Sequence, residues 1–340
     1  MKTNSYVYGQ WFNGQGNPVE VKHALTGEVI SHVNSTGMDF AEVVAHAKTV
    51  GGPKLRNMTL HERAEALKAL GVYLLKKKAN YYAVSQQSGA TKADSWVDIE
   101  GGIGTMLSYS SMVRRELPNE TFIVEGDVEP LSKHGSFVGQ HILTAKLGVS
   151  LHINAFNFPC WGMLEKIAPS LLAGVPVIVK PGTATAYITH SMVKDIIESA
   201  LLPEGSLQLI CGSTGDLLEQ LDEQDVVTFT GSAKTGQMLK QHPNITKNNI
   251  PFNMEADSLN CSILGESVAE DSPEFDLFIK EVVREMTVKA GQKCTAIRRA
   301  IVPANKIDAV QAALVARLEK VIIGDPSVDG VKMGALVGVE

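Results

Sequence analysis

From residue 148 onward, short runs of Val, Ile and Leu alternate with stretches of helical period. Residues 148–153, 175–179, 207–211 and 226–230 read as strands, and residues 160–172, 184–201, 214–221 and 233–241 as helices. Repeated β-α units of this kind predict an α/β fold built on a parallel, doubly wound sheet. Ligands bind such sheets at the carboxyl ends of the strands. Those ends fall at residues 154–159, 180–183, 211–213 and 230–232, which are rich in Gly, Ser, Thr, Asn and Lys, as a nucleotide site requires.

The flanking stretches follow other patterns. Residues 6–11 and 27–33 are β-rich and separated by turn residues. Residues 39–117 are helical in period. There Thr59-Leu60-His61-Glu62 has the form of a capping box, and Lys76-Lys77-Lys78 reads as the solvated end of the helix that follows. Residues 121–124 and 137–144 predict a projecting hairpin, either an oligomerisation element or a plain surface ribbon. Residues 275–288 read as a helix and residues 297–302 as a strand. The resulting division is a cofactor-binding domain at 1–250, carrying the hairpin at 118–147, and a catalytic domain at 251–340.

Composition narrows the function. The 340 residues are 44% hydrophobic and 20% charged, enough for a sizeable core. A net charge of -6 gives no basic footprint for nucleic acid. No apolar run reaches membrane-spanning length, and the first six residues lack a signal-peptide core, so a cytoplasmic setting is expected. Cys160, Cys211, Cys261 and Cys294 have no paired spacing, which speaks against a disulfide framework or a metal site.

Two residues carry candidate chemistry. Cys294 follows a glycine-marked break, Lys289-Ala290-Gly291-Gln292-Lys293, between a helix and a strand. A cysteine so placed is held and accessible, as a nucleophile must be, and Lys289 or Lys293 is positioned to favour its thiolate. On these residues alone, a small buried core cysteine remains the other reading. Glu255 ends a β-prone run after Phe252 and Met254, which suggests either a partly buried base or an ordinary surface acid. There is no Gly-x-Gly-x-x-Gly at a strand–helix junction, and Gly231-Ser232-Ala233-Lys234-Thr235-Gly236 is followed by Gln237-Met238 where a P-loop needs Lys-Ser/Thr. Gly231 and Ser232 still open a helix whose N-terminus suits a phosphate.

Five motifs, in order, resemble the aldehyde dehydrogenase superfamily. They are Phe156-Asn157-Phe158-Pro159, Val179-Lys180-Pro181, Phe229-Thr230-Gly231-Ser232, Met254-Glu255 and Gly291-Gln292-Lys293-Cys294. The resemblance covers essentially the whole chain. Gly-Gln-Lys-Cys-Thr-Ala and Asn-Met-Glu-Ala-Asp-Ser-Leu-Asn look most like one branch, the semialdehyde dehydrogenase module of the bifunctional ring-opening enzyme of phenylacetate degradation. The related dehydrogenase of the benzoyl-CoA epoxide route is similar.

The resemblance implies a Rossmann-type cofactor domain and oxidation of an aldehyde, expected to be a coenzyme A-linked semialdehyde. Cys294 would be the nucleophile, Asn157 an oxyanion donor and Glu255 the base. Cofactor contacts would come from Phe156, Lys180, Thr183, Gly212, Thr230, Gly231 and Ser232. Thr183 stands where NAD-preferring members often carry a glutamate, so NADP is the expected cofactor and NAD the second candidate. A homo-oligomer is expected. The family's later Glu-x-Phe-Gly-Pro motif lies outside these residues, so the chain resembles an N-terminal portion of such an enzyme. Two other readings remain: a catalytically silent portion, and an acylating enzyme that passes the acyl group to coenzyme A.

Overall fold

The computed structural model describes residues 2–338. Strands β1 (Ser5–Val7), β2 (Gln10–Phe12), β3 (Val19–Lys22) and β4 (Val29–Val33) open the chain. Helices α1 (Phe40–His46), α2 (Gly52–Arg56), α3 (Leu60–Gln86), α4 (Lys92–Trp96) and α5 (Gly102–Glu116) follow. A ribbon of β5 (Phe122–Pro130) and β6 (Val138–Thr144) leads to the alternating part. That part comprises β7 (Ser150–Ile153), α6 (Trp161–Leu172), β8 (Val177–Lys180), α7 (Ala186–Ser199), β9 (Leu207–Leu209), β10 (Val226–Gly231), α8 (Ala233–Lys240), α9 (Pro243–Lys247) and β11 (Phe252–Ala256). Last come β12 (Cys261–Ile263), α10 (Pro273–Thr287), β13 (Arg299–Ile301) and α11 (Ile307–Leu318).

The main sheet has the order β11-β10-β7-β8-β9-β1-β2. Its first five strands are parallel, as the alternating pattern predicts. One face carries Leu151, Ile153, Ile178, Val227 and Phe229, which pack with Val43, Val44 and Leu239. The other carries Val177 and Val179, which pack with Leu164 and Ile167 of α6 and Met192 of α7. Both faces are covered by helices, so the strands need apolar residues at successive positions rather than at alternate ones.

Several expectations change in detail. Residues 6–11 do not form one strand. Positive φ at Tyr8 (54°) and Gly9 (73°) folds them into a hairpin, and β1 extends the main sheet antiparallel to β9 through Tyr6 and Leu209. The helix expected over 214–221 contracts to a single 3-10 turn, Leu217–Gln220. Lys76-Lys77-Lys78 lies mid-helix, because α3 runs 27 residues to Gln86; Lys77 and Lys78 reach Asp195 and Glu100. The capping box at its start forms as read: the Thr59 side chain accepts from the Glu62 amide, and Glu62 accepts from the Thr59 amide.

The β5–β6 ribbon pairs antiparallel and exposes Val124, Val128, Phe137 and Ile142. Downstream, β12 and β13 pair in parallel, and α10 and α11 share a small core of Phe275, Phe278, Ile279, Val282 and Val310. Among the described residues, no helix is long and apolar enough to cross a membrane.

His152 sits fully buried on the α6 face of β7, with Nε2 2.8 Å from Ser150 Oγ and 3.1 Å from Ser170 Oγ. Burial, aided by Lys166, pushes its pKa down from 6.5 to about 3. The folded chain therefore keeps His152 neutral, while the unfolded chain takes up a proton below the ordinary value. The associated stability is present above that value and is lost as pH falls from it towards 3. Acidifying by about 1.5 pH units below the ordinary value should cost this site roughly 2 kcal/mol. His152→Gln should flatten the fall of melting temperature with acid, measured by circular dichroism; identical slopes in the two proteins would contradict the assignment.

Candidate active site

The parallel register of β10 and β11 sets Glu255 opposite Thr230, at the carboxyl end of the sheet. Phe252 packs with the core on the α8 side, and Met254 lies against Gly236, where an added Cβ would stand 2.4 Å from the Met254 sulfur. Strand alternation therefore turns Glu255 to the opposite face. Glu255 is exposed, so the partial burial expected from its apolar neighbours does not occur; those neighbours point the other way.

Cys294 arrives by a different route. After α10, Lys289 (φ 52°), Ala290 (φ 52°) and Gly291 (φ 73°) adopt three successive left-handed conformations. For the two that bear a Cβ, this costs roughly 1–2 kcal/mol each. Hydrogen bonds offset that cost. The Lys289 amide donates to Asp94 Oδ1 at 2.8 Å, and Gln292 Nε2 donates to the Lys289 carbonyl at 2.9 Å. Arg298 donates to the carbonyls of Gly291 (3.2 Å) and Lys293 (3.0 Å). The Ser258 hydroxyl and Asn260 Nδ2 (2.7 Å) both donate to the Cys294 carbonyl. The result is an exposed thiol on a fixed backbone.

The structure brings Cys294, Glu255 and Asn157 together. The Glu255 carboxylate lies near enough to the Cys294 thiol for its charge to act on it. Asn157 Nδ2 donates to the Gln292 carbonyl at 3.0 Å, which ties the loop after β7 to the cysteine loop. Burial first, and the Glu255 charge second, raise the Cys294 pKa above its ordinary value, while the Cys294 and Thr295 amides oppose the shift. The expectation that Lys289 or Lys293 favours the thiolate is overturned. Lys293 Nζ is bound by both Glu285 carboxylate oxygens at 2.8 Å, and Lys289 Nζ lies 5.0 Å from the centroid of the Phe158 ring. Cys160 and Cys211 are buried core thiols, with the Cys211 pKa pushed up to about 12 by burial.

The cofactor candidates line the carboxyl ends of the strands. Lys180 ends β8, Thr183 begins the short turn behind it, and exposed Phe156 follows β7. Gly212 follows β9 at φ 144° and packs so closely on Ser35 that a Cβ would lie 2.7 Å from the Ser35 backbone nitrogen. Gly231 ends β10, and Ser232 caps α8 by accepting from the Thr235 amide. The Ala233 amide, which would meet a phosphate at this helix end, instead donates to Asp257 Oδ1 at 3.1 Å. A dinucleotide nevertheless fits the residues present. Thr230 Oγ1 and both side-chain polar atoms of Asn154 are buried without partners. Lys180 makes no ion pair among the described residues, and burial lowers its pKa. Unpaired hydroxyl, amide and ammonium groups at strand ends are the donor set that ribose hydroxyls require.

Sequence reasoning gave no individual role to Asp94, Asn154, Ser258 or Asn260, although Ser258 and Asn260 lie within the motif around Glu255 and Asn154 at a strand end of the expected ligand site. Asp94 carried one signal, as the acid of a second capping box, Thr91-Lys92-Ala93-Asp94. Nothing local announced its bond to Lys289, 195 positions away.

A sequence model of the aldehyde dehydrogenase family matches residues 11–340. A 3,4-dehydroadipyl-CoA semialdehyde dehydrogenase of Aromatoleum evansii is 45% identical over 338 residues, covering 99% of this chain and 65% of that protein. A D-glyceraldehyde dehydrogenase (NADP(+)) of Picrophilus torridus is 24% identical, covering 98% of this chain and 64% of that protein. The chain thus spans just under two thirds of the length of these relatives. The structure of a betaine aldehyde dehydrogenase point mutant from Staphylococcus aureus, in complex with NAD+, superposes with a TM-score of 0.84 at 20% identity, over 99% of this chain and 66% of that one. This last likeness concerns the fold.

The contact between Glu255 and Cys294 makes a prediction. Iodoacetamide should label Cys294 well before Cys160 or Cys211, with a rate that climbs above neutral pH. Glu255→Gln removes the neighbouring charge and should move that climb to lower pH, speeding labelling near neutrality several-fold. Peptide mapping identifies the site, and exposed Cys261 is the internal control, since its rate should not respond to the substitution. An unchanged Cys294 profile would show that the carboxylate does not govern the thiol.

Proposed function

The chain belongs to the aldehyde dehydrogenase family, and from that premise we propose that it oxidises an aldehyde, in particular a semialdehyde carried on coenzyme A, to the carboxylic acid. The observation that carries this reading is the meeting of the Cys294 thiol, the Glu255 carboxylate and the Asn157 loop at one point. Substrate identity is supported by the motifs around Glu255 and Cys294 and by the likeness to the 3,4-dehydroadipyl-CoA semialdehyde dehydrogenase of Aromatoleum evansii.

Cys294 attacks the aldehyde carbon, and its proton passes to the neighbouring Glu255. The new oxyanion receives the Asn157 amide and the Cys294 backbone N–H; losing one such donor typically costs roughly 3–4 kcal/mol of transition-state stabilisation. The oxidation itself is the chemistry that a nicotinamide dinucleotide supplies when bound. Lys180, Thr183, Asn154 and Thr230 are the residues that would hold it. Glu255, exposed and so able to return its proton to solvent, then deprotonates the water that cleaves the Cys294 thioester. A base beside the sulfur favours hydrolysis over transfer to free coenzyme A.

NADP is the preferred cofactor in this reading, because Thr183 presents a hydroxyl where a carboxylate would repel a 2′-phosphate. Residues 1–250 serve as the cofactor unit and 251–340 as the catalytic unit, whose first strand, β11, joins the sheet of the cofactor unit. The ribbon at 118–147 pairs with a second copy through its exposed apolar strands.

Two measurements test the proposal. Intact mass after mixing with semialdehyde and NADP should show acyl adducts on Cys294. With Glu255→Gln the adduct should persist and reduced cofactor should appear as a burst of about one per site; steady turnover at the parent rate would remove Glu255 from the deacylation step. For cofactor choice, Thr183→Glu should weaken NADP binding about tenfold or more relative to NAD, read by fluorescence titration. Equal losses for both cofactors would place Thr183 away from the 2′ position.

A further inference from the structure

Two buried acids lie beneath the site without touching it. Asp94 and Asp98 stand four residues apart, 3% and 0% exposed, where α4 continues into α5 through a widened turn at Val97–Gly101. Asp94 Oδ2 accepts from the Thr91 amide (2.9 Å) and hydroxyl (2.8 Å), leaving Oδ1 for the Lys289 amide at 2.8 Å. Asp98 Oδ1 accepts from the amides of Cys160 (3.1 Å) and Trp161 (2.9 Å), at the start of α6.

This second grip needs close approach, and glycine provides it. A Cβ at Gly101 would stand 2.4 Å from the Trp161 ring, and one at Gly102 would stand 2.7 Å from the Trp161 Cα. Turns of this wide kind recur at functional sites, because they shift side chains off the regular helical face.

Together the contacts close a ring. Asp94 holds Lys289, three residues before Gln292; the Gln292 carbonyl accepts from Asn157; and Asn157 stands three residues before Cys160, which Asp98 holds. Lys289 Nζ over the Phe158 ring adds a direct contact between the two arms. One arm carries the nucleophile and the other carries the side-chain amide of the oxyanion site, and one helical segment grips both.

We propose that Asp94 and Asp98 are positioning residues that set the distance between the Asn157 amide and Cys294. This rests on the assignment of Asn157 and Cys294 to the oxyanion site. Neither acid touches the reacting atoms. Each acts through main-chain amides, so acceptor oxygens matter more than charge. A simple capping role would predict lost helix stability and nothing specific to Asn157.

The test needs neither cofactor nor turnover. Propanal adds reversibly to the thiol of the full chain and so protects Cys294 from iodoacetamide; the concentration giving half protection reads the stability of the adduct. Asn157→Ala should raise that concentration about tenfold. Asp98→Ala should raise it similarly while leaving the aldehyde-free labelling rate within about twofold, and should add nothing in the Asn157→Ala background, because the two act as one unit. Asp98→Asn keeps Oδ1 as an acceptor and should restore most of the protection. Asp94→Ala is the second probe and decides the matter if Asp98→Ala does not fold; Asp94→Asn offers no rescue there, because both Asp94 oxygens accept from main-chain amides. Losses that add independently to that of Asn157→Ala, or aspartate variants that protect like the parent while Asn157→Ala does not, would overturn the positioning role alone. An Asn157→Ala protein protected like the parent would overturn the oxyanion assignment and the positioning role with it.

Discussion

The site depends on the register of two neighbouring parallel strands. Because Thr230 stands opposite Glu255, a residue of the cofactor side and the proposed base share one row at the sheet's carboxyl end. A slip of one residue would turn Glu255 to the α8 face and bring Met254 into its place. Met254 against Gly236 and Phe252 against the core make that slip costly, so apolar packing on one face fixes the placement of Glu255 on the other.

The nucleophile is secured in a different manner. No strand or helix holds Cys294; its loop is a left-handed break whose backbone groups are bound by Asp94, Arg298, Ser258 and Asn260. Two of those residues come from the segment just after Glu255, so the stretch bearing the proposed base also grips the Cys294 carbonyl. The two groups are therefore fixed relative to each other by covalent chain as well as by packing.

Much of this was legible in the sequence. The strand–helix alternation after residue 148 gave the parallel sheet, because buried parallel strands need unbroken apolar runs that helices do not share. The capping box at Thr59 was readable because it is local. The hairpin of β1 and β2 was not read, since Tyr8 takes a left-handed turn that its residue type does not advertise. The electrostatics of Cys294 were misread for a related reason. Lys293 is adjacent in sequence, but Glu285 on α10 claims its charge, while Glu255, 39 positions back, reaches the thiol. Nearness along the chain predicts caps and turns; it does not predict which charge faces which across a site.

The raised pKa of Cys294 bears on chemical durability. The thiolate is the form that attacks peroxides as well as aldehydes, and a thiol that stays protonated at rest enters the oxidation ladder slowly. Burial and the neighbouring carboxylate, which keep the proton on the sulfur, therefore shield an exposed cysteine from conversion to sulfenic and sulfinic acids.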